Sequence, residues 1–386
     1  MIPTYRPCIG REELDAVQSI FDSRWLGMGE VTRTFELRLE EFLGARRVVA
    51  VDRGTAALHL ALDALELQAG DEVIVPSLTF VGTIQAIRLT GATPVFCEVD
   101  PATLNMAVQD ALGRITDKTR VILPVHFGGL PCEMDKLLHA ARMRGIRVVE
   151  DAAHAFGSRY NGRMIGTLGD LTCFSFDAIK NITCGEGGAV ATDSDELANR
   201  IARRRCLGIE RAIDPTDPAR ANWQYRVLSH GFRYHMSDIN AAIGLAQLEK
   251  FPAFQRRKRE IVRRYDDAFA KIEGIEPLRH DLEQTCPWAY VVKVYGNRRD
   301  AFRAHLQRHG VATLIQFIPN HLQPAFAQCR VELPVTEQLF RQIVSLPLHA
   351  EMTDADVETV IRAVHRFFDP PSRNRRRRGL TQKAEP

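Results

Sequence analysis

The run Cys173-Phe174-Ser175-Phe176-Asp177-Ala178-Ile179-Lys180-Asn181 leads into Gly185-Glu186-Gly187-Gly188 and then into a second apolar segment, Ala189 to Ala191. Most lysines are solvated surface residues, and that is the ordinary reading of any one of them. Lys180 differs in its setting, because an apolar strand precedes it and a Gly-rich turn returns at once into another. Desolvation or a neighbouring cation lowers the pKa of such a lysine from about 10.4 and makes the amine nucleophilic. A second run, Val148-Val149-Glu150-Asp151-Ala152-Ala153-His154, ends an apolar strand in carboxylates followed by small residues. A carboxylate such as Asp151 could hold a proton on the ring nitrogen of a bound heterocycle. It could equally cap a helix or form an ion pair, and His154 could be satisfied by its own loop. The third run, Arg53-Gly54-Thr55-Ala56, stands between a strand and a helix. There the free N–H groups of a first helical turn and the Thr55 hydroxyl can hold a phosphate, although a lone Gly-Thr pair is also an ordinary helix start. Neither G-x-x-x-x-G-K-[ST] nor G-x-G-x-x-G is present at that turn, so triphosphate and dinucleotide sites lack support. An amine held inside, a carboxylate on a neighbouring strand end and a phosphate cradle together describe a pyridoxal phosphate site.

The elements that must position these residues are legible from periodicity. Short β-branched runs at Val48 to Val51, Val73 to Pro76, Pro94 to Val99, Val121 to Val125, Val148 to Glu150, Cys173 to Phe176 and Gly188 to Thr192 alternate with helical patterns. Such alternation predicts a mainly parallel sheet wrapped by helices, an α/β architecture that gathers ligands at the carboxyl ends of its strands. Leu58, Ala61, Leu62 and Leu65 recur at helical spacing after the first strand, and Ser237 is the expected N-cap of a helix through Ile239, Ile243 and Leu248. A charged helical stretch with Arg256, Arg257, Lys258, Arg259, Arg263 and Arg264 follows; it could meet a diphosphate, but a solvent-facing helix is the simpler reading. Beyond about residue 275 a strand at Trp288 to Val294 and helices at Arg299 to His309 and Thr353 to Phe368 predict a smaller α+β domain. The expected division is residues 1–250 as an N-terminal arm and large domain, 251–368 as the small domain, and 369–386 as a tail.

Composition narrows the function classes. No apolar run in the 386 residues approaches the roughly 20 needed to span a bilayer, and Met1 to Asp15 is polar without a signal core, so a cytoplasmic enzyme is expected. The net charge of +3 is misleading, because residues 371–386 hold six basic residues, Arg373, Arg375 to Arg378 and Lys383, against Glu385 alone. That segment carries +5 and leaves the rest at −2, which gives no global basic surface for nucleic acid. The tail is expected to be solvated and disordered. Eight cysteines without a C-x-x-C pair argue against a zinc ribbon and a disulfide framework.

With these residues in view, the chain resembles the DegT/StrS-type nucleotide-sugar aminotransferases, pyridoxal phosphate enzymes of fold-type I (aspartate aminotransferase-like). The likeness spans roughly residues 1 to 368. It is strongest at Gly54-Thr55-Ala56-Ala57-Leu58, Pro76-Ser77-Leu78-Thr79-Phe80, Glu150 to His154 and Ser175 to Asn181 with Gly185 to Gly188. Around Lys180 it is especially similar to the members that make UDP-4-amino-4-deoxy-L-arabinose, which leaves the substrate open. The resemblance implies a large domain with a mostly parallel seven-stranded sheet and a smaller C-terminal domain. It implies Lys180 as the covalent attachment point of the coenzyme and Asp151 as partner of its ring nitrogen. Phe80 falls where the family places an aromatic over the ring, with His154 nearby, and Gly54, Thr55, Ala56 and Ser175 fall at the phosphate. Members that dehydrate sugars carry histidine where this chain has Lys180, so the resemblance implies transamination.

Two positions depart from the pattern. Arg233-Tyr234-His235 stands where members commonly read Asn-Tyr-Arg, in a loop that reaches the partner's cofactor phosphate across a homodimer; Arg233 or His235 is expected to take that role. Gln316 stands near a position often occupied by histidine, before Pro319-Asn320-His321 in a loop lining the sugar site. The implied reaction moves the amino group of L-glutamate to a keto group, most often the 4-keto group, of a nucleotide-linked deoxysugar for amino-sugar and surface polysaccharide synthesis. A 3-keto sugar, a cyclitol or an aminobenzoate precursor is the rival substrate. A regulatory protein using the Arg-rich tail on nucleic acid is the rival from another class.

Overall fold

The structure is a computed structural model that describes residues 1–211 and 225–368. The Arg-rich run, and with it the expectation of a disordered tail, lies outside them. Seven strands form one sheet: β1 (Arg47–Val51), β2 (Glu72–Pro76), β3 (Thr93–Cys97), β4 (Thr119–Ile122), β5 (Arg147–Asp151), β6 (Leu171–Ser175) and β7 (Gly188–Thr192). Their order is β1-β7-β6-β5-β4-β2-β3. Pairing is parallel from β6 across to β3, while β7 runs antiparallel to both of its neighbours. Each apolar run picked out in the sequence is a strand of this sheet, displaced by a few residues at its ends.

Period-two alternation builds the core on both faces. Val49 and Val51 of β1 join Leu58 and Leu62 of α1 (Gly54–Ala64) on one side, and Val48 and Ala50 join Phe35, Phe174 and Phe251 on the other. Eight of the eleven residues of α1 are buried, as expected of a helix that is apolar on nearly every side. Because parallel strands all point the same way, the turns after β1, β2, β5 and β6 and the start of the reversed β7 lie along one edge. That edge receives α1, α2 (Val81–Leu89) and every chemistry-bearing run named above.

A 32-residue helix, α3 (Asp238–Phe269), links the two domains, and the Ser237 hydroxyl caps it by accepting the Asn240 N–H at 3.2 Å. Ala241, Leu248 and Phe251 pack with the large-domain core. Ile261, Val262, Tyr265 and Phe269 pack with Tyr290, Val292 and Val344 of the small domain. The expected division at residue 250 therefore falls inside one continuous helix that also contains Pro252. The small domain holds antiparallel strands Ile275–Pro277, Tyr290–Val294 and Ile343–Leu346 with α4 (Asp354–Phe368). The basic run on α3 is partly consumed internally: Arg257 donates to Asp354 at 2.8 Å and Arg264 to Glu358 at 2.6 Å. The first residues cross to the small domain, where the Ile2 N–H donates to the Gly310 carbonyl at 2.7 Å. A short extended strap of this kind, ahead of the first helix at Arg11, has no periodicity from which that crossing could be read.

All eight cysteines are free thiols, five of them buried. Among the described residues no helix is long and apolar enough to cross a membrane, and no cluster of His, Cys, Asp or Glu is arranged to hold a metal ion.

Candidate active site

Asp151 ends β5 and is 4% exposed. Its carboxylate accepts the Thr83 hydroxyl at 2.7 Å and the Ala153 N–H at 3.1 Å. Both donors are neutral, and among the described residues no cation pairs with it. Burial consequently raises its pKa above the usual carboxylate value, although those hydrogen bonds and Lys180 oppose the rise. Thr83, on the first turn of α2, is itself held by Thr79 at 3.0 Å. Next to Asp151 in sequence, the Glu150 carboxylate accepts from Gly169 and Thr172 and faces His126 Nε2 at 2.9 Å, all inside the core. The carboxylate run thus divides by strand alternation: Glu150 holds the fold together and Asp151 faces the sheet edge.

Lys180 lies on the loop between β6 and β7. A turn from the Asp177 carbonyl to the Lys180 N–H at 3.1 Å and the Phe176–Gly187 backbone pair at 2.8 Å set its course. Asn181 pins it further, donating from Nδ2 to the carbonyls of Phe156 at 3.1 Å and Cys286 at 3.2 Å. The Lys180 ammonium sits 4.3 Å from the centroid of the Trp288 ring. Burial brings its pKa down to about 8, against the smaller opposing pull of Asp151 and Asp177. About a tenth of the amine is then neutral and nucleophilic at pH 7, roughly a hundredfold or more above an ordinary lysine.

Between these two strand ends and α1 lies the third feature. Arg53 precedes α1 without capping it through its side chain, and the N–H groups of Gly54, Thr55 and Ala56 have no acceptor among the described residues. A Cβ on Gly54 would stand 2.7 Å from Cβ of Ser175, so only glycine lets the end of β6 approach the helix start this closely. Ser175 is thereby set beside the three free N–H groups. On the other side Thr55 Oγ1 abuts Gly82, where a Cβ would lie 2.8 Å away.

Aromatic rings wall the opening. Phe80 is 54% exposed, which separates it from the core phenylalanines. Its ring lies 5.9 Å from that of Phe317, and Phe317 lies 6.0 Å from His154. His154 stacks on Trp288 at 3.6 Å with 9° between the planes, and its buried Nδ1 has no partner among the described residues. Burial, with the Lys180 charge nearby, keeps its pKa well below the ordinary histidine value.

The remaining expected residues are not gathered here. Arg233 is exposed, and the loop carrying it with His235 is tied to the end of β1 by the Asp52 N–H, which donates to the Tyr234 carbonyl at 2.8 Å. Gln316 is buried and its Oε1 accepts Tyr5 at 2.7 Å and Ser345 at 2.8 Å. His321 is 1% exposed, with Nδ1 at 2.7 Å from the Ser77 hydroxyl and Nε2 at 3.4 Å from Glu337. In this chain both are committed to internal bonds that tie the C-terminal segment to other parts of the fold. Sequence reading missed Thr83, Trp288 and Tyr5. The spacing of Thr79 and Thr83 at the start of a helix was an available signal; nothing local marks the other two.

Comparison with known proteins decides among the chemistries this geometry allows. The profile of the DegT/DnrJ/EryC1/StrS aminotransferase family matches residues 7–365. The chain belongs to that family. A spore coat polysaccharide biosynthesis protein, SpsC, of Bacillus subtilis (strain 168) is 39% identical over 373 residues, 94% of this chain and 96% of its own. A dTDP-4-dehydro-2,3,6-trideoxy-D-glucose 4-aminotransferase of Saccharopolyspora spinosa is 38% identical over 367 residues, covering 93% and 95%. A putative sugar aminotransferase from Streptococcus pneumoniae, solved in its pyridoxamine phosphate form, superposes with a TM-score of 0.90 at 30% identity, covering 94% and 98%; its pyridoxal phosphate form is also similar. The chain is thus a fold-type I aminotransferase that depends on pyridoxal phosphate. Its own residues fit that group: three N–H groups unpartnered among the described residues beside a serine, a buried carboxylate in no ion pair there, and an amine of lowered pKa share one opening.

Proposed function

We propose that this enzyme transfers the amino group of L-glutamate to a keto group, the 4-keto group, of a nucleotide-linked deoxysugar. The observation that carries this reading is the convergence of Lys180 and Asp151 at neighbouring strand ends, in a chain similar over 93% of its length to a 4-keto sugar aminotransferase. Pyridoxal phosphate supplies, when bound, an aldehyde that an amine can join and a ring that accepts electrons from the reacting carbon.

The protein's own groups do the rest. Gly54, Thr55 and Ala56 offer backbone donors to the phosphate, at the positive end of α1, and Ser175 adds a hydroxyl. Asp151 holds a proton on the ring nitrogen; its shortage of positive partners makes a cationic ring its natural counter-charge. Thr83 fixes the carboxylate's direction. Phe80 and His154 flank the ring and exclude water. With the coenzyme and amino donor bound, the Lys180 amine would take a proton from the donor's α-carbon, and in the second half-reaction it would deliver one to the former keto carbon of the sugar. Its tether makes both transfers intramolecular. Arg233 or His235 serves the phosphate of a second subunit in a homodimer, since both side chains can donate to an anion.

The test is direct. Purified enzyme loaded with coenzyme is converted to its amine form by L-glutamate, then offered 4-keto and 3-keto sugars linked to UDP, GDP or dTDP. Return of the original absorbance, with an amino sugar detected by mass, is expected for a 4-keto sugar. Failure with every one rejects the substrate class.

A further inference from the structure

Beside Lys180 lies a small cavity that the mechanism above does not use. The N-terminal strap Tyr5 to Cys8, the loop Ile179 to Asn181, α3 and the segment Leu348 to Ala350 enclose about 30 Å³. That is roughly twice the minimum that holds a water molecule and matches a carboxylate group, not a sugar ring. Its basic lining is Lys180, Lys258, His349 and Arg6, and no lining residue is an acid. Carboxylates stand outside the lining: Glu351 meets the Cys8 thiol, Glu13 accepts Gln247 Nε2 at 2.7 Å, and Asp356 accepts from Thr353 while pulling only weakly on His349 and Arg6.

The nitrogen groups in this cavity are short of acceptors. Lys258 is 6% exposed, and its Nζ donates to Asn181 Oδ1 at 2.5 Å while no carboxylate pairs with it among the described residues. An ammonium carries three donors, so this bond leaves two in hand. Burial lowers its pKa to about 7, the mark of a buried cation without a counter-charge. His349 is also 6% exposed, and among the described residues neither ring nitrogen has a hydrogen-bond partner; the Pro3 carbonyl is near without meeting bonding geometry. Arg6, at the rim, is exposed and close enough to help depress the His349 pKa after burial itself. Buried donors left without acceptors cost free energy that a suitable ligand removes. A carboxylate brings two acceptor oxygens and one negative charge, the complement of an ammonium, an imidazole and a guanidinium.

We propose that Lys258, His349 and Arg6 form the subsite that receives a carboxylate of the amino donor. Because Lys180 lines the same cavity, a carboxylate seated there sets the rest of a short amino acid beside the reacting amine. This inference rests on the reading that the donor is a carboxylic amino acid, and it assigns the N-terminal strap and the 348–350 segment a part in donor recognition.

Glutarate, which has the carboxylates of glutamate but no amine, separates the subsite from the reaction. Coenzyme-loaded wild type, His349→Leu and Arg6→Gln are titrated with glutarate by calorimetry, then each half-reaction is followed by absorbance. About tenfold weaker glutarate binding is expected in both variants, with a matching loss in the L-glutamate half-reaction and an unchanged sugar half-reaction. Lys258→Met should lose more, but it also frees Asn181, so the decision rests on the other two. Wild type that does not bind glutarate, variants that bind it equally well, or a loss confined to the sugar half-reaction would overturn the subsite. If L-glutamate proves not to be the donor, the earlier reading fails by itself, because the glutarate titration needs no turnover.

Discussion

The edge of the sheet and the wall that closes over it are built on different principles. Along the edge, Asp151, Ser175 and Lys180 stand at or just beyond the ends of buried strands, each fixed by bonds to residues near it or on an adjacent element. The wall is made of Tyr5, Trp288, Gln316 and Phe317, joined across hundreds of residues: Tyr5 bonds Gln316 and stacks on Trp288 at 4.8 Å. In the proposed reaction the first arrangement places the groups that make and break bonds. The second decides what may approach them. Damage to the edge should therefore abolish chemistry with coenzyme or substrate still bound, whereas damage to the wall should alter affinity and leave the chemical step nearly intact.

Lys180→Ala is the sharpest test of the edge. Loss of attachment point, base and acid together is expected to lower turnover by about 10⁴-fold or more, measured as single-turnover conversion by L-glutamate, with the absorbance of attached coenzyme gone. A variant that retained a tenth of the activity would break the distinction. Asp151→Asn comes next. It keeps the Thr83 contact sterically but removes the charge, and a fall of about 10²-fold in the rate of the half-reaction is expected with coenzyme retained. A pH dependence follows at smaller amplitude. The Lys180 amine attacks only when neutral, and its pKa is lowered by burial to about 8. Coenzyme uptake by stripped enzyme should thus rise roughly fivefold from pH 7 to 8 and level off above, where an ordinary lysine would keep gaining to about 10.4. A continued rise past pH 9, by stopped-flow absorbance, would show that the amine is not desolvated.

The same contrast explains what could be read in advance. Every strand of the sheet was legible, since parallel strands buried on both faces are written as unbroken apolar runs such as Val73 to Val75. The candidate chemical groups could be placed because a sheet of this kind gathers ligands at strand ends, directly after those runs. Resemblance to a family then separated the site reading of Asp151 and Lys180 from the bland ones, which the residues alone had left open. The wall was not legible. Trp288 reads as the first residue of a strand, yet the strand begins at Tyr290, and Trp288 instead hangs from the Gly128 carbonyl with its indole donating to Ile179 at 2.8 Å. Tyr5 belongs to a strap too short for any pattern. Gln316 and His321 illustrate the limit from the other side: a loop was correctly noticed, but which of its side chains turn inward depends on partners at Tyr5, Ser345 and Ser77 that no local signal names.

The smallest expected effect is the most informative about the wall. Tyr5→Phe removes one hydroxyl, the donor of the 2.7 Å bond to Gln316, while leaving the ring stacked on Trp288. Gln316 keeps its second donor, Ser345, so no buried acceptor is orphaned and the cost should stay within that of an ordinary neutral hydrogen bond, about 0.5–1.5 kcal/mol. If the wall acts by shaping access, that cost appears as a two- to tenfold rise in KM for the keto sugar with kcat held, since about 1.4 kcal/mol is a factor of ten. If instead Tyr5 helps set the reacting geometry through Trp288 and Lys180, kcat falls and KM stays. Steady-state kinetics on the single variant separates the two, and the second result would mean that edge and wall are one machine.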